Sequence, residues 1–166
     1  MGAVIAAVFL ALLLWAAWGD IKAYRIPNVL VVALLVLFGV AFAAGLVERD
    51  RILEHLGVGA LALAVGMGLF ARNLIGGGDA KLFAVLAMWA GGPETIRLAF
   101  VTALAGGAVS AVVLLRSRRA ANEGIPPGGE VNRSPNVPYG LAIAVAGLDY
   151  WIRALAAPFL FPFLHL

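Results

Sequence analysis

The sequence predicts an all-α membrane protein, with six transmembrane helices in one domain that covers residues 1–166. Of its 166 residues, 63% are hydrophobic and only 13% are charged. A soluble domain has about 45–50% apolar and about 25% charged residues, so this composition is typical of the membrane class. Apolar runs near the length of a membrane span alternate with short polar connections. The cations are also distributed unequally between alternate connections, which indicates a fixed orientation in a membrane.

The first two spans are separated by a short polar connection. We expect the first span at about residues 3–18, where no charged residue occurs. Because no basic residue precedes this run, we interpret it as a retained span and not as a signal peptide. The connection at residues 19–28 contains Asp20. Pro27 fits the first turn of a second helix, at about residues 29–47.

The third and fourth spans lie on either side of a glycine run. A mixed-charge turn at residues 48–55 precedes the third span, at about residues 56–70. Four glycines in that span predict close packing against neighbouring helices in lipid. Gly76-Gly77-Gly78 and Asp79 then precede a short fourth span, at about residues 80–90.

The last two spans are joined by the longest hydrophilic segment. The fifth span is expected at about residues 95–115 and the sixth at about residues 141–157. Between them, residues 116–137 have too little apolar surface to pack, so we expect a mobile cytoplasmic loop. Pro138-Tyr139-Gly140 precedes the sixth span.

The charge distribution predicts which ends of the helices face the cytoplasm. The first, third and fifth connections contain eight cations, Lys22, Arg25, Arg72, Lys81, Arg116, Arg118, Arg119 and Arg133. The second and fourth contain three, Arg49, Arg51 and Arg97. This bias predicts cytoplasmic odd connections and external termini. Since two crossings separate Asp20 from Asp79, both acids should face the cytoplasm.

These two acids are the strongest candidates for a functional site. A carboxylate at the edge of the hydrocarbon layer is costly and therefore indicates function. Two carboxyl groups that share one proton can hydrolyse a peptide bond, because the ionised acid takes a proton from water while the protonated acid donates one to the carbonyl oxygen. We interpret Asp20 and Asp79 as the acids of an intramembrane aspartic peptidase.

The remaining composition argues against other kinds of site. The sequence has no cysteine, and His55 and His165 are too scattered for a zinc centre, so we expect neither a cofactor nor a metal. The net charge of +3 is small for a protein of this class and favours contact with anionic lipid over nucleic-acid binding. The oligomeric state does not follow from the sequence.

The glycine run before Asp79 has two interpretations. Glycines allow the backbone to approach an extended substrate closely and to adopt positive φ, and an irregular segment could pair with that substrate. Alternatively, Gly76, Gly77 and Gly78 only interrupt the chain between two helices.

Three ordered motifs resemble those of one family. Gly76-Gly77-Gly78-Asp79, with Lys81 and Leu82 after it, is similar to the GxGD motif of intramembrane aspartic proteases, and specifically to that of type IV prepilin peptidases. Asp20 shortly before Ile26-Pro27-Asn28 resembles the first motif of that family. Pro138-Tyr139-Gly140-Leu141-Ala142 resembles its third recurrent stretch.

The resemblance implies an activity, a location and a set of site residues. It implies cleavage of the basic leader from prepilins and pseudopilins, on the cytoplasmic side of the bacterial inner membrane, with Asp20 and Asp79 as catalytic acids. The residues that it implies in shaping the site or binding substrate are Pro27, Asn28, Gly76, Gly77, Gly78, Lys81, Pro138, Tyr139 and Gly140. Partners would be these substrates and membrane lipids, without nucleic acid.

The chain differs from the bifunctional members of this family. Those have an additional N-terminal cytoplasmic region with paired cysteines, and they also methylate the new N-terminus. Here the first span starts close to Met1 and cysteine is absent. We therefore expect no N-methyltransferase activity, as in the short branch that serves tight-adherence (Flp-type) pili. Archaeal preflagellin peptidases are a neighbouring alternative.

Some residues and the function itself have alternative interpretations. Asp149 and Arg153 are four residues apart on a helix, so a structural ion pair is favoured over a role in positioning. Lys81 could be an interfacial anchor or a site residue. A small transporter could use Asp20 and Asp79 as proton or cation sites, although the sequence shows no internal repeat. A structural membrane subunit would not explain two acids on one face.

Overall fold

The computed structural model describes residues 2–23, 25–122 and 139–160. Over these ranges the chain forms six α-helices and one turn of 3-10 helix, without a strand. The helices are α1 (Gly2–Ala23), α2 (Asn28–Ala43), α3 (Ile52–Ala71), α4 (Gly77–Ala90), α5 (Gly92–Asn122) and α6 (Tyr139–Leu160), and the 3-10 turn is Arg49–Arg51. The all-α prediction is confirmed.

Three segments are long and apolar enough to cross a membrane. Among the described residues these are Gly2–Ala23, Arg49–Ala71 and Gly92–Arg116, while α2 is apolar but shorter. Length and composition therefore support a membrane protein. The count of six spans and the external position of both termini stay predictions.

Proline and glycine determine several helix ends. Pro27 has an extended backbone, with φ −63° and ψ 136°, and α2 begins directly after it. Gly76 is likewise extended, with φ −71° and ψ 143°, and precedes α4. Gly91 ends α4 with φ 75°, a left-handed conformation that glycine adopts without steric cost.

Helix α4 lies at the centre of the molecule. It packs along α3 and also contacts α2, α5 and α6, while α1 packs against α2 and α6. Every residue from Ala84 to Ala90 is buried. Trp89 is in ring contact with Phe9 and Phe38, and its indole N–H donates to the Leu34 carbonyl at 3.1 Å. Helix α4, which has Asp79 in its first turn, is therefore held by packing against four neighbouring helices.

The predicted glycine packing in α3 is confirmed at two positions. A Cβ at Gly59 would lie 2.7 Å from the Met88 Cβ, and one at Gly66 would lie 3.0 Å from the Ala80 Cβ. Both glycines therefore allow α3 to approach α4 closely. Gly57 and Gly68 have no neighbouring atom within 4 Å of such a Cβ.

Two helices extend beyond their predicted ends. Helix α1 continues to Ala23, so Asp20 lies in its last turn and not in a connection. Helix α5 continues to Asn122, so the prediction of a loop is wrong for residues 116–122. Arginine and alanine dominate that stretch and have high helix propensity. The rest of the predicted loop, residues 123–137, lies outside the described residues.

Candidate active site

Asp20 and Asp79 line the same cleft. Its volume is about 570 Å³, and its other walls are residues 25–28 and the three glycines Gly76–Gly78. The cleft lies where the last turn of α1 meets the first turns of α2 and α4. The structure thus brings together two acids that are far apart in the sequence, along with Pro27 and Asn28.

Asp20 is fixed by the start of α6. Its side chain is buried, with 4% of its surface exposed. The Leu141 N–H donates to Asp20 Oδ2 at 3.0 Å, and the backbone of Gly140 makes a further contact with this carboxylate. The first N–H groups of a helix have no partner within the helix, and they favour a negative charge. Asp20 therefore joins α1 to α6 and holds its carboxylate in one position.

Asp79 lies in the first turn of its own helix and is more accessible. Its side chain is half-buried, and its carboxylate interacts with the backbone of Gly76, the residue just before α4. Asp79 and Asp20 line the same cleft, which places the two carboxyl groups around one space. Both acids thus lie near the N-terminal end of a helix, where the helix dipole favours negative charge.

Glycines around the cleft allow neighbouring side chains to lie close to the backbone. A Cβ at Gly76 would lie 2.7 Å from Asp79 Oδ2, and one at Gly78 would lie 3.2 Å from the Ile26 Cβ. At Gly140 it would lie 2.9 Å from Asp20 Cγ. The predicted positive φ is wrong at Gly76, which has φ −71°, and Gly77 and Gly78 are helical. The glycines therefore do more than interrupt the chain, because side chains there would displace the walls of the cleft.

Lys81 connects two walls of the cleft. Its Nζ donates to Asn28 Oδ1 at 3.2 Å, which joins the first turns of α4 and α2. The Ile26 side chain packs against Gly78 in α4 and against Gly140 in α6. Lys81 itself does not line the cleft but a separate apolar pocket with Gly59 and Met88, so both interpretations of Lys81 stay open.

Four of the predicted site residues lie apart from the cleft lining or outside the described chain. Lys81 lies on another face of α4, and Gly140 packs against Asp20 from the start of α6. Tyr139 does not line the cleft but lies in an adjacent apolar groove, where its ring packs against Gly106. Pro138 lies outside the described residues.

The predicted ion pair of Asp149 and Arg153 is present at the opposite end of the helices. Arg153 contacts Asp149 at 3.2 Å and Glu94 at 2.7 Å, and Arg97 also contacts Asp149 at 3.2 Å. These contacts join α5 to α6. They involve neither acid of the cleft, which fits a structural role.

Sequence reasoning did not identify two parts of the cleft. The Leu141 N–H donates to Asp20, and the Ile26 side chain lines the cleft. A backbone donor has no residue signature, and the motif that contains Ile26 does not show which way its side chain points. Among the described residues, no group of three or more His, Asp or Glu side chains could hold a metal ion.

The arrangement is suited to acid–base chemistry on a water molecule. Two carboxyl groups face one open cleft, and one of them is held by backbone donors from another helix. Carboxyl groups placed together in this way can divide the roles of proton acceptor and proton donor.

The chain matches a known protein family. The model of the type IV leader peptidase family matches residues 7–111, which is more than half of the chain and includes Asp20 and Asp79. No curated protein and no solved structure matches the chain.

Proposed function

The chain belongs to the type IV leader peptidase family, and we propose that it is an aspartic endopeptidase that removes the leader from type IV prepilins or pseudopilins. Cleavage would occur at the cytoplasmic face of the bacterial inner membrane. The observation that carries this proposal is the shared cleft of Asp20 and Asp79. We propose no N-methyltransferase activity for this chain.

The proposed mechanism uses the two carboxyl groups and one water molecule. One carboxylate takes a proton from the water, which attacks the carbonyl carbon of the scissile bond. The other carboxyl group, protonated at this stage, donates its proton to the carbonyl oxygen. The tetrahedral intermediate then collapses. The leaving amine takes the proton that came from the water, a hydroxyl of the intermediate returns its proton to the other carboxylate, and the pair again holds one proton.

The contacts around the cleft support a role in positioning. The backbone donors from α6 restrict the Asp20 carboxylate, and the Lys81–Asn28 hydrogen bond holds the segment that contains Ile26 and Pro27 near the first turn of α4. Fixed geometry of this kind lowers the cost of bringing acid, base and water together.

The direct test is cleavage of a prepilin by the purified protein, followed by mass spectrometry. Asp20→Asn and Asp79→Asn should each reduce kcat by at least about a hundredfold, within the range by which acid–base groups contribute to catalysis. Asp149→Asn is the matched control, since Asp149 belongs to the ion pairs at the opposite end. It should keep its activity.

Substantial cleavage of the prepilin by Asp20→Asn or by Asp79→Asn would rule out the proposed pair of catalytic acids. A transporter would instead show ion flux that depends on these acids, in the absence of proteolysis.

A further inference from the structure

A pocket of about 390 Å³ lies at the end of the helix bundle opposite the cleft. Helix α4 has 14 residues, a length of roughly 21 Å, so it ends short of the thickness of a membrane core, about 30 Å. The pocket lies beside Trp89 in the last turn of α4, and its walls come from the start of α1, the end of α2, the start of α3 and α6. Among the described residues, none lines both this pocket and the cleft.

His55 presents an unused hydrogen-bond acceptor to this pocket. The residue is 9% exposed, and its Nδ1 lies 2.7 Å from the Met88 carbonyl oxygen. A carbonyl oxygen only accepts, so Nδ1 carries the proton and Nε2 of the neutral ring has a free lone pair. In the described part of the chain, the enclosed side-chain nitrogen and oxygen atoms without a partner belong to Thr102 and Trp151. Nε2 of His55 also has no partner there but is not enclosed, so it faces the open space of the pocket.

Three aromatic residues line the pocket beside His55, namely Trp89, Tyr150 and Trp151. The rings of Trp89 and Trp151 are nearly perpendicular, with centroids 5.9 Å apart and planes at 88°, so the two indoles form a corner. Phe9 stacks on one face of Trp151 at 4.8 Å, which leaves the opposite face free of this contact. Because an aromatic face attracts a cation, this wall favours a positively charged ligand.

The charged side chains of the pocket also favour a cation. Glu48 and Arg51 line the pocket. The Arg51 guanidinium is paired with Glu54, whose two carboxylate oxygens each accept a hydrogen bond at 3.2 Å. This pair offsets the charge of Arg51 within the chain, so the exposed Glu48 carboxylate leaves the pocket with a net negative charge. Charge-assisted hydrogen bonds between a carboxylate and an ammonium group are among the strong ones.

A primary ammonium group fits these residues better than a metal ion or a quaternary ammonium. The pocket supplies two side chains that could ligate a metal, His55 and Glu48, and no group of three or more His, Asp or Glu side chains in the described residues could hold one. A quaternary ammonium has no N–H, so it would leave Nε2 of His55 unpaired. A primary ammonium has three donors for these two acceptors, and its charge would lie against the aromatic rings.

We propose that this pocket binds a primary ammonium group, with His55 Nε2 and the Glu48 carboxylate as its hydrogen-bond acceptors. The lining also contains the apolar side chains of Ile5, Leu46 and Val47. These side chains fit the ammonium of an ethanolamine phospholipid as well as that of a small free amine. The site does not depend on the proposed peptidase function.

Titration of the purified protein tests the chemistry of the ligand. Trp89 and Trp151 are two of the four tryptophans and line the pocket, so ligand binding should change the tryptophan fluorescence. The probes are a short-chain phosphatidylethanolamine, the phosphatidylcholine with the same chains, and free ethanolamine. The wild-type protein should bind phosphatidylethanolamine saturably and about tenfold more tightly than phosphatidylcholine, because only the former can donate a hydrogen bond to His55.

Free ethanolamine distinguishes the two sources of the ammonium group. A Kd similar to that of phosphatidylethanolamine would identify a small amine as a sufficient ligand, whereas binding of the lipid alone would identify a phospholipid. Equal affinity for phosphatidylethanolamine and phosphatidylcholine would overturn the proposal. Absence of saturable binding of both ethanolamine compounds would overturn it as well.

Two variants test the two acceptors. Glu48→Gln should weaken binding of phosphatidylethanolamine by about tenfold, because it removes the carboxylate. Asp50→Asn is the matched control. It removes a charge two residues away, but Asp50 does not line the pocket, so Kd should stay nearly unchanged. His55→Asn keeps a side-chain N–H near the position of Nδ1, for the Met88 carbonyl, and removes the Nε2 acceptor. It should weaken binding of phosphatidylethanolamine but not of phosphatidylcholine.

Equal Kd values for Glu48→Gln and Asp50→Asn would mean that only the overall charge at this end of the bundle attracts the ligand, and would overturn the proposal. If His55→Asn does not fold, the comparison of Glu48→Gln with Asp50→Asn decides the outcome.

Discussion

At the scale of single residues, the two acids of the cleft are held in different ways. Asp20 is buried and accepts hydrogen bonds from the start of α6, whereas Asp79 is half-buried in the first turn of α4. The Asp20 carboxylate can keep this position only because Gly140 has no side chain. The geometry of the pair therefore depends on a glycine as much as on the acids.

Gly140→Ala should reduce cleavage by about tenfold or more, with a smaller effect on stability. The new Cβ would lie 2.9 Å from both Asp20 Cγ and Ile26 Cδ1, so the carboxylate must move. A misplacement of about 1 Å can reduce the rate by about 10²-fold. Gly107→Ala is the control, because nothing lies within 4 Å of its Cβ position. Full activity of Gly140→Ala, measured as kcat, would mean that the position of Asp20 is not critical.

Lys81 and Asn28 should act as a coupled pair. Lys81→Met and Asn28→Ala each remove the hydrogen bond of 3.2 Å between α4 and α2. Each variant should reduce cleavage several-fold and destabilise the fold by about 0.5–1.5 kcal/mol. The double variant should be no worse than the single ones, which a double-mutant cycle of activity and stability measures.

Lys22→Met is the control for loss of an interfacial charge, since Lys22 contacts the Trp18 ring. Additive effects of Lys81→Met and Asn28→Ala would indicate that Lys81 is only an interfacial anchor.

At the scale of helices, the sequence predicted the number and order of the elements but not all of their ends. An acid after an apolar run indicates a polar connection, so the sequence predicts the end of α1 before Asp20. In the structure the helix continues, since the Asp20 carboxylate is satisfied by the Leu141 N–H, which is 121 positions later. A contact so distant in sequence has no local signal.

In the candidate site, too, local sequence patterns predicted some features, whereas features that depend on helix packing were not predictable. That Asp20 and Asp79 face one side followed from counting crossings, and they do line one cleft. The groove between α3 and α5 was not predictable, because it depends on which helices pack together and not on any motif. The motif that contains Tyr139 predicts a position at the cleft, but its side chain lines the apolar groove between α3 and α5.

The close packing of α3 on α4 should be sensitive to Gly59. In Gly59→Ala the Cβ would lie 2.7 Å from the Met88 Cβ, which cannot move without displacing the backbone of α4. Overpacking of this kind costs about 1–3 kcal/mol. Gly68→Ala in the same helix has open space and should be neutral or slightly stabilising, since alanine favours helix over glycine. Unfolding in detergent measures the free energy of unfolding of both variants. Equal values for Gly59→Ala and Gly68→Ala would contradict the close packing of α3 on α4.

At the scale of the whole molecule, the two ends of the helix bundle have different chemistry. The end with the cleft contains the two acids and their hydrogen bonds. At the other end, Glu54 accepts a hydrogen bond from the Gly92 N–H at 2.8 Å, and the His55 ring donates to the Met88 carbonyl at 2.7 Å. With the ion pairs of Asp149, these contacts join α3, α5 and α6 around the end of α4. The helices are thus fixed at one end, and the site lies at the other.

The proposed function requires that the cleft end faces the cytoplasm, which site-specific labelling can test. In an otherwise cysteine-free chain, Asp50→Cys lies before α3 and Arg72→Cys lies directly after it, and both positions are exposed. The positive-inside bias predicts that a membrane-impermeant maleimide labels Asp50→Cys in intact cells. It should label Arg72→Cys only after permeabilisation, while the wild-type chain takes no label.

The opposite pattern would place Asp20 and Asp79 at the external face and would contradict cytoplasmic cleavage. Labelling of both cysteines from the same side would instead mean that α3 does not cross the membrane. The orientation of α3 therefore links the membrane topology and the side of cleavage in one measurement.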